Sequence, residues 1–127
     1  IMRDEDIIEL AWNTYEFHVN IVSELEADHR LAIQYYNDFI KYNTNPTKTK
    51  KNHVKRRLSK SFVVLLNIYK KNINSIADLV RLHEDEPLCV PHHRDINIQD
   101  LIDLKDVTST LVEALKDQRE EIFKNLS

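Results

Sequence analysis

The fold is decided by the stretch 58–80, LSKSFVVLLNIYKKNINSIADLV, in which apolar residues recur every three or four positions. This spacing places the apolar side chains on one face of an α-helix and predicts that this face is buried. Further apolar residues widen the face, so we expect this helix to be the most buried of the protein. The repeating residues are Leu58, Phe62, Leu65, Tyr69, Ile73, Ile76 and Val80, and the widening residues are Val63, Leu66, Ile68 and Leu79.

Breaks in the apolar pattern set the bounds of this helix and of two neighbours. Asn45 is suited to cap the central helix and Pro46 to occupy its first position, which predicts a span of about 46–83. The same periodicity predicts helices over about 4–42 and 97–126, and Asn97 with Asp100 has the spacing of a capping pair. The predicted stripes are Ile8, Trp12, Tyr15, Val19, Val22, Ile33, Tyr36 and Ile40 in the first helix, and Leu101, Leu104, Thr108, Leu111, Leu115, Ile122 and Leu126 in the last.

The amino-acid composition restricts the possible fold classes and the expected cellular location. The chain has 127 residues and no glycine, which argues against hairpin turns, P-loops and dinucleotide-binding folds together. We expect a single all-α domain over 1–127, a piece of a longer chain because Ile1 is not an initiator residue. Cys89 is the only cysteine, and no apolar run approaches the length of a membrane span, so an intracellular location, cytoplasmic or nuclear, is expected.

Long helices joined by short connections favour an elongated antiparallel three-helix bundle with up-down-up topology. That topology gathers charge of opposite sign at the two ends of the bundle. The segment 39–77 carries ten Lys or Arg residues and no Asp or Glu, while the remainder of the chain has a net charge of −13. The acidic end should collect Asp4, Glu5, Asp6, Glu9, Glu84, Asp85, Glu86, Asp95, Asp100, Asp103 and Asp106.

The basic end holds the candidate binding site. Its residues are Lys48, Lys50, Lys51, Lys55, Arg56, Arg57 and Lys60, which we call the basic pole. Most lie in the first turns of the central helix, where the helix dipole disfavours positive charge, and Asp117, Glu120 and Glu121 near the end of the last helix would offset only part of this cost. The pattern predicts a docking surface for an acidic or phosphorylated protein segment, with an anionic lipid headgroup as an alternative. A solvated helix face that keeps the bundle soluble is the plainer interpretation.

Two further features bear on the basic pole. Arg56-Arg57-Leu58-Ser59 resembles the substrate pattern of basophilic protein kinases, so Ser59 is a candidate phosphorylation site whose modification would reduce the positive charge. Nucleic acid is a less suitable partner, because no aromatic residues interleave with the cations to stack on bases.

Metal binding and catalysis have little support in the sequence. Glu26 and His29 have the Glu-x-x-His spacing of di-iron bundles, but the chain has no second pair, so a buried polar pair, a locally open bundle or a site for a partner helix is favoured. Cys89, His92 and His93 are weak metal candidates in the connection 83–95, whose spacing matches no zinc pattern. No residue set has the arrangement of a nucleophile with its base, so we expect neither an enzyme nor a cofactor.

These observations predict a non-enzymatic interaction module, an adaptor or scaffold, that docks partners on its basic pole, with a groove on the first helix as a second candidate surface. The three-helix layout is also similar to syntaxin N-terminal regulatory domains and to the adaptor bundles that bind small GTPases and ubiquitin. That resemblance implies a membrane-trafficking regulatory bundle that binds partner helices or anionic lipid. A nuclear subunit of a chromatin- or kinetochore-type assembly is a third hypothesis. The wide apolar stripes of the first two helices would also suit an oligomer or a coiled coil with a partner.

Overall fold

The computed structural model describes residues 4–85 and 97–127 and contains three helices, α1 (Asp4–Tyr42), α2 (Lys48–Asp85) and α3 (Ile98–Asn125). These bounds lie within two residues of the spans predicted from the sequence. No strand occurs in either described range. At about 1.5 Å per residue, α1 is about 58 Å long, so the bundle is elongated.

Hydrogen bonds between helices define the topology. His18 and His29 of α1 bond Ser75 and Ser61 of α2, so residue numbers rise along one helix as they fall along the other, and the two are antiparallel. His29 of α1 also bonds Gln118 of α3. Tyr36, seven residues after His29, accepts a hydrogen bond from Asn125, which is seven residues after Gln118. α1 and α3 are therefore parallel to each other, and the bundle is all-α with the predicted up-down-up order.

The prediction that Asn45 and Pro46 begin α2 is wrong. The backbone N–H of Lys50 donates to Thr47 Oγ1 at 3.3 Å, and that of Lys51 donates to the Thr47 carbonyl at 3.0 Å. Thr47 therefore has the N-cap role, because its hydroxyl satisfies an N–H group that has no partner within the helix. Asn97 does cap α3 as predicted, and its side chain accepts from the backbone N–H of Gln99 at 2.8 Å.

α2 is the most buried helix, as predicted, because it packs against both of the others. In contrast, no Cα atom of described α1 lies within 8 Å of a Cα atom of described α3. Four core predictions are wrong. Val63, which was expected to widen the buried face of α2, is 51% exposed. The wider spacing of α1 and α3 explains the other three. Val19 and Ile40 of α1 and Leu111 of α3 are 36%, 46% and 43% exposed, since no residue of the described ranges packs closely on those faces.

The core has two apolar clusters separated by a polar layer. The larger cluster surrounds Phe62 and Leu65, and the smaller one surrounds Trp12 and Leu79. The residues at the level between them are His18, Asn72, Ser75 and Thr108. The Ser75 hydroxyl donates to the Asn72 carbonyl at 2.9 Å, and His18 Nδ1 lies 3.2 Å from the same hydroxyl. Burial, followed by the charge of Lys71, lowers the pKa of His18.

Candidate functional site

The basic pole occupies about the first four turns of α2, next to the α1–α2 turn. Lys48, Lys50, Arg56, Arg57 and Lys60 are exposed, and the other two cations are partly buried. α2 runs back along α1 because the polar break 43–47 between them is short, and this places the cations at the tip of the bundle. At the other tip, the acids whose side chains are described are all exposed: Asp6, Glu9, Asp100, Asp103 and Asp106.

The cations of the basic pole are not neutralised by the described part of the chain. No carboxylate of a described residue lies within 4.0 Å of any of them, and the ion pairs formed elsewhere in the described ranges include Asp78–Arg81 and Glu113–Lys116. Asp117, Glu120 and Glu121, which were expected to offset part of the charge, are not buried against the basic pole and form no such pair with it. The first turn of α2 contains no acidic residue either. An external anion would therefore meet these side chains without displacing a protein carboxylate of the described ranges.

Arg57 has a defined ring contact in the structure. Its guanidinium carbon lies 4.8 Å from the centre of the Tyr35 ring of α1. Such a contact restricts the side chain while leaving the N–H groups of the guanidinium free to bind a carboxylate or phosphate in a bidentate manner. Arg57 therefore joins the basic pole to the surface of α1, and no feature of the sequence revealed this link.

Ser59 is exposed on α2 among the cations of the basic pole, so its hydroxyl is open to solvent. Whether it is phosphorylated stays a prediction. Cys89, His92 and His93, the weak metal candidates, lie outside the described residues. Within the described ranges, no three His, Cys, Asp or Glu side chains are grouped closely enough to hold a metal ion.

Glu26 and His29 do not act as the single polar pair that their spacing suggested. His29 is 7% exposed, with Nδ1 2.6 Å from Ser61 Oγ and Nε2 3.2 Å from Gln118 Oε1. Because the amide oxygen only accepts, Nε2 carries the proton and Nδ1 accepts from the Ser61 hydroxyl. Burial lowers the pKa of His29, and the bond to Gln118 opposes that shift in part. This histidine thus ties all three helices together in one register.

Glu26 acts on a different residue, Tyr69 of α2. Burial, followed by the nearby Glu26 carboxylate and its hydrogen bond, raises the pKa of Tyr69 to about 12, and Arg30 opposes the shift. These three side chains line a cavity of about 340 Å³ that opens between α1 and α3. The bundle therefore has an opening between α1 and α3 at this level, while His29 beside it is enclosed by residues of all three helices.

A groove runs between α1 and α2. The expectation of a groove on the first helix named neither this location nor its residues. The central cavity of this groove, of about 270 Å³, is lined by Leu25, Leu31, Ala32, Val64, Arg57 and Lys60, together with Asp28 and Ser61. A second cavity lies nearer the α1–α2 turn and includes Tyr35 and Lys50, and a third lies toward the other end and includes Leu10 and Asp78. No α3 residue lines any of the three, and we call this surface the α1–α2 groove.

A signal for this groove was present in the sequence. Leu10, Phe17 and Leu31 are separated by seven and fourteen residues, which places them on one face of α1, beside the predicted core stripe. Phe17 and Leu31 are 62% and 58% exposed. The second stripe was hidden because the core stripe already accounted for the helical periodicity.

Comparisons with known proteins give no match for this chain among protein-family models, curated proteins or solved structures. Within the described ranges, none of the helices combines the length and the apolar character needed to cross a membrane.

Proposed function

We propose that this chain is a non-enzymatic interaction module, an intracellular adaptor or scaffold in the cytoplasm or nucleus, whose basic pole docks an acidic or phosphorylated segment of a partner protein. The observation that carries the proposal is the set of seven cations at one tip of the bundle that no described carboxylate neutralises. A field of one sign steers oppositely charged partners and raises their local concentration.

The arrangement of the cations costs stability in the absence of a partner. Each exposed positive charge in the first turn of a helix is unfavourable by about 0.3–1 kcal/mol, and the exposed Lys48 and Lys50 lie there beside the partly buried Lys51. Lys51 with Lys55, and Arg56 with Lys60, are also like charges four residues apart, which adds about 0.2–0.5 kcal/mol for each pair. A bound anion relieves both effects, so the same charges that destabilise the free helix favour the complex.

The exposed arginines favour a partner with carboxylates or phosphates. Guanidinium groups bind these planar or multidentate anions through paired N–H donors, which a point charge on lysine does not provide. Arg56 and Arg57 are adjacent and exposed, and Arg57 is held in place against Tyr35. A protein segment with several Asp, Glu or phosphorylated residues meets these requirements.

The proposal is tested with defined anionic probes on the intact chain. Binding of a fluorescent peptide rich in Asp and Glu, and of its phosphoserine counterpart, is measured by anisotropy at low and high salt. We expect the double variant Lys55→Glu/Arg56→Glu to weaken binding at least tenfold. Lys70→Glu/Lys71→Glu, the same charge change on exposed positions in the middle of α2, should bind nearly as the unmodified protein does.

Two outcomes would contradict the proposal. Equal binding by the Lys55→Glu/Arg56→Glu variant and the unmodified protein would remove the basic pole as the docking site. Co-sedimentation with phosphoinositide-containing vesicles, lost in the same variant, together with no binding of either peptide, would assign the surface to a membrane and not to a protein. Affinity purification with the intact and the charge-reversed protein, followed by mass spectrometry, then identifies the partner.

A further inference from the structure

The α1–α2 groove is an apolar surface that no described part of the chain covers. Three cavities of about 230, 270 and 420 Å³ follow one another along it. From Leu10 in the cavity at one end to Tyr35 in the cavity at the other, the α1 wall extends about 38 Å, which is the length of a helix of about 25 residues. Large contiguous apolar surfaces on soluble domains commonly mark interaction sites.

Apolar side chains at helical spacing lie along the α1 side of the groove. Leu10 and Leu31 line its cavities, and Phe17 is exposed on the same face of α1, with Glu24 between it and Leu31. Val64 of α2 faces Leu31 across the central cavity. Side chains at these intervals form ridges and gaps into which the i, i+4 and i+7 residues of another helix fit. A partner helix along this groove would contact both α1 and α2, whereas α3 packs closely on α2 alone.

The charge of the groove changes along its length. Arg57 and Lys60 border the central cavity against the single carboxylate of Asp28, and Lys50 with His53 borders the cavity nearer the α1–α2 turn. At the opposite end, Asp78 and Arg81 form an ion pair at 3.3 Å and cancel each other. The groove is therefore positive at the end that adjoins the basic pole and close to neutral at the other.

We infer that the α1–α2 groove binds an amphipathic helix of a partner protein, with apolar residues at i, i+3/i+4 and i+7 and with acidic residues at the end that lies beside Arg57 and Lys60. The inference rests on the proposed function, because the acidic end of this helix is the acidic segment that the basic pole docks. Charge complementarity selects this occupant. A purely apolar helix would leave Lys50, Arg57 and Lys60 without an anion at the mouth of the groove.

Arg57 has a positioning role in this interaction as well as a charge. It lies over Tyr35 at 4.8 Å, so its planar guanidinium is presented at the edge of the groove. Lysine at this position would keep the charge but lose the planar contact with the ring and the paired donors. The variant Arg57→Lys therefore separates a specific carboxylate contact from a general electrostatic attraction.

The test begins with selection from a displayed library of random peptides on the intact 127-residue chain. We expect the enriched peptides to be helical and amphipathic, with Asp or Glu grouped toward one end. Dissociation constants of one enriched peptide are then measured by anisotropy. Leu31→Ser and Arg57→Ala should each weaken binding at least tenfold, and Arg57→Lys about threefold or more. Val107→Ser removes an equally exposed apolar side chain from α3, outside the groove, and should leave binding unchanged.

The outcomes separate this inference from the proposed function. If Lys55→Glu/Arg56→Glu abolishes binding of the acidic probe but Leu31→Ser leaves the selected peptide bound, the basic pole stands and the groove is refuted. If Leu31→Ser abolishes binding of the selected peptide while no charge variant weakens it, the inference of an acidic end is refuted, and the basic pole is still judged by the acidic probe alone. An unenriched library, or enriched peptides without grouped acids, refutes the inference. Sedimentation velocity showing a dimer of the unmodified chain that Leu31→Ser dissociates assigns the groove to a second copy and refutes it too.

Discussion

Lys50 offers the sharpest test of the idea that the basic pole opposes the stability of its own helix. It is exposed in the first turn of α2, three residues after Thr47, and its backbone N–H bonds the Thr47 hydroxyl. In the variant Lys50→Glu, a charge that the helix dipole disfavours becomes one that it favours. The change also places a carboxylate three residues after the N-cap, where it can accept from the backbone N–H of Thr47 and complete a capping box.

The expected gain in the free energy of unfolding follows from these contacts. Removing the unfavourable charge and adding the favourable one each contribute about 0.3–1 kcal/mol at low ionic strength, so a total of about 1 kcal/mol is expected. For a chain of this size, that corresponds to a rise in Tm of about 4 °C. The same variant should bind the acidic probe more weakly, so stability and binding should change in opposite directions.

Urea unfolding followed by circular dichroism measures the effect, with two companion variants. Lys50→Gln retains the capping geometry without a negative charge and should give about half the gain. Lys70→Glu makes the same charge change at an exposed position in the middle of α2, where we expect a change within about 0.5 kcal/mol. In about 1 M salt, screening should remove the difference in stability between the Lys50→Glu and Lys50→Gln variants. A midpoint for Lys50→Glu no higher than that for Lys70→Glu at low salt would refute the reasoning.

Three further predictions concern the core. Because burial lowers the pKa of His29, the unfolded chain binds a proton at a higher pH than the folded chain does. The free energy of unfolding should therefore fall as the pH drops below about 6.5, by up to about 1.4 kcal/mol per pH unit. Unfolding curves between about pH 5 and 8, the range over which histidine titrates, measure this dependence, and His29→Gln should make it weaker. Phe62 is fully buried, with its ring centre 4.6 Å from that of His29. Phe62→Ala should therefore lower the free energy of unfolding by about 3–5 kcal/mol, whereas Val63→Ala at the exposed neighbouring position should lower it by under about 0.5 kcal/mol. Similar losses for the two variants would contradict the placement of Phe62 in the core. Asn72 is buried and its Oδ1 has no hydrogen-bond partner in the described ranges, so Asn72→Leu should raise the free energy of unfolding by about 1 kcal/mol, and a decrease would point to a bond that this oxygen makes.

The helices could be predicted from the sequence because their signals are local. The three-and-four spacing from Leu58 to Val80 and the capping residue Asn97 act within one or two turns, and both predictions are confirmed. Thr47 was missed in favour of Asn45 because both residues are good caps and lie within two positions of each other. The choice between them depends on where the α1–α2 turn brings α2 into contact with α1, which is a tertiary property.

The lateral spacing of the helices could not be predicted, and neither could the features that depend on it. Periodicity shows which face of α1 is apolar, but it does not show how closely α3 approaches, so Val19 and Ile40 were placed in the core. The His29 partners Ser61 and Gln118 are 32 and 89 residues away in the sequence. The location of the basic pole did follow from the sequence, because short connections and helix lengths determine which ends meet.

The polar layer between the two apolar clusters has a consequence for how the bundle opens. Apolar contact along the bundle axis is interrupted at His18 and Ser75. The cluster around Trp12 is therefore only weakly coupled to the cluster around Phe62. Segments joined in this way commonly unfold as separate cooperative units. Backbone amides around Trp12 and Leu79 should therefore exchange with deuterium through a smaller opening that leaves the half of the bundle bearing the basic pole intact.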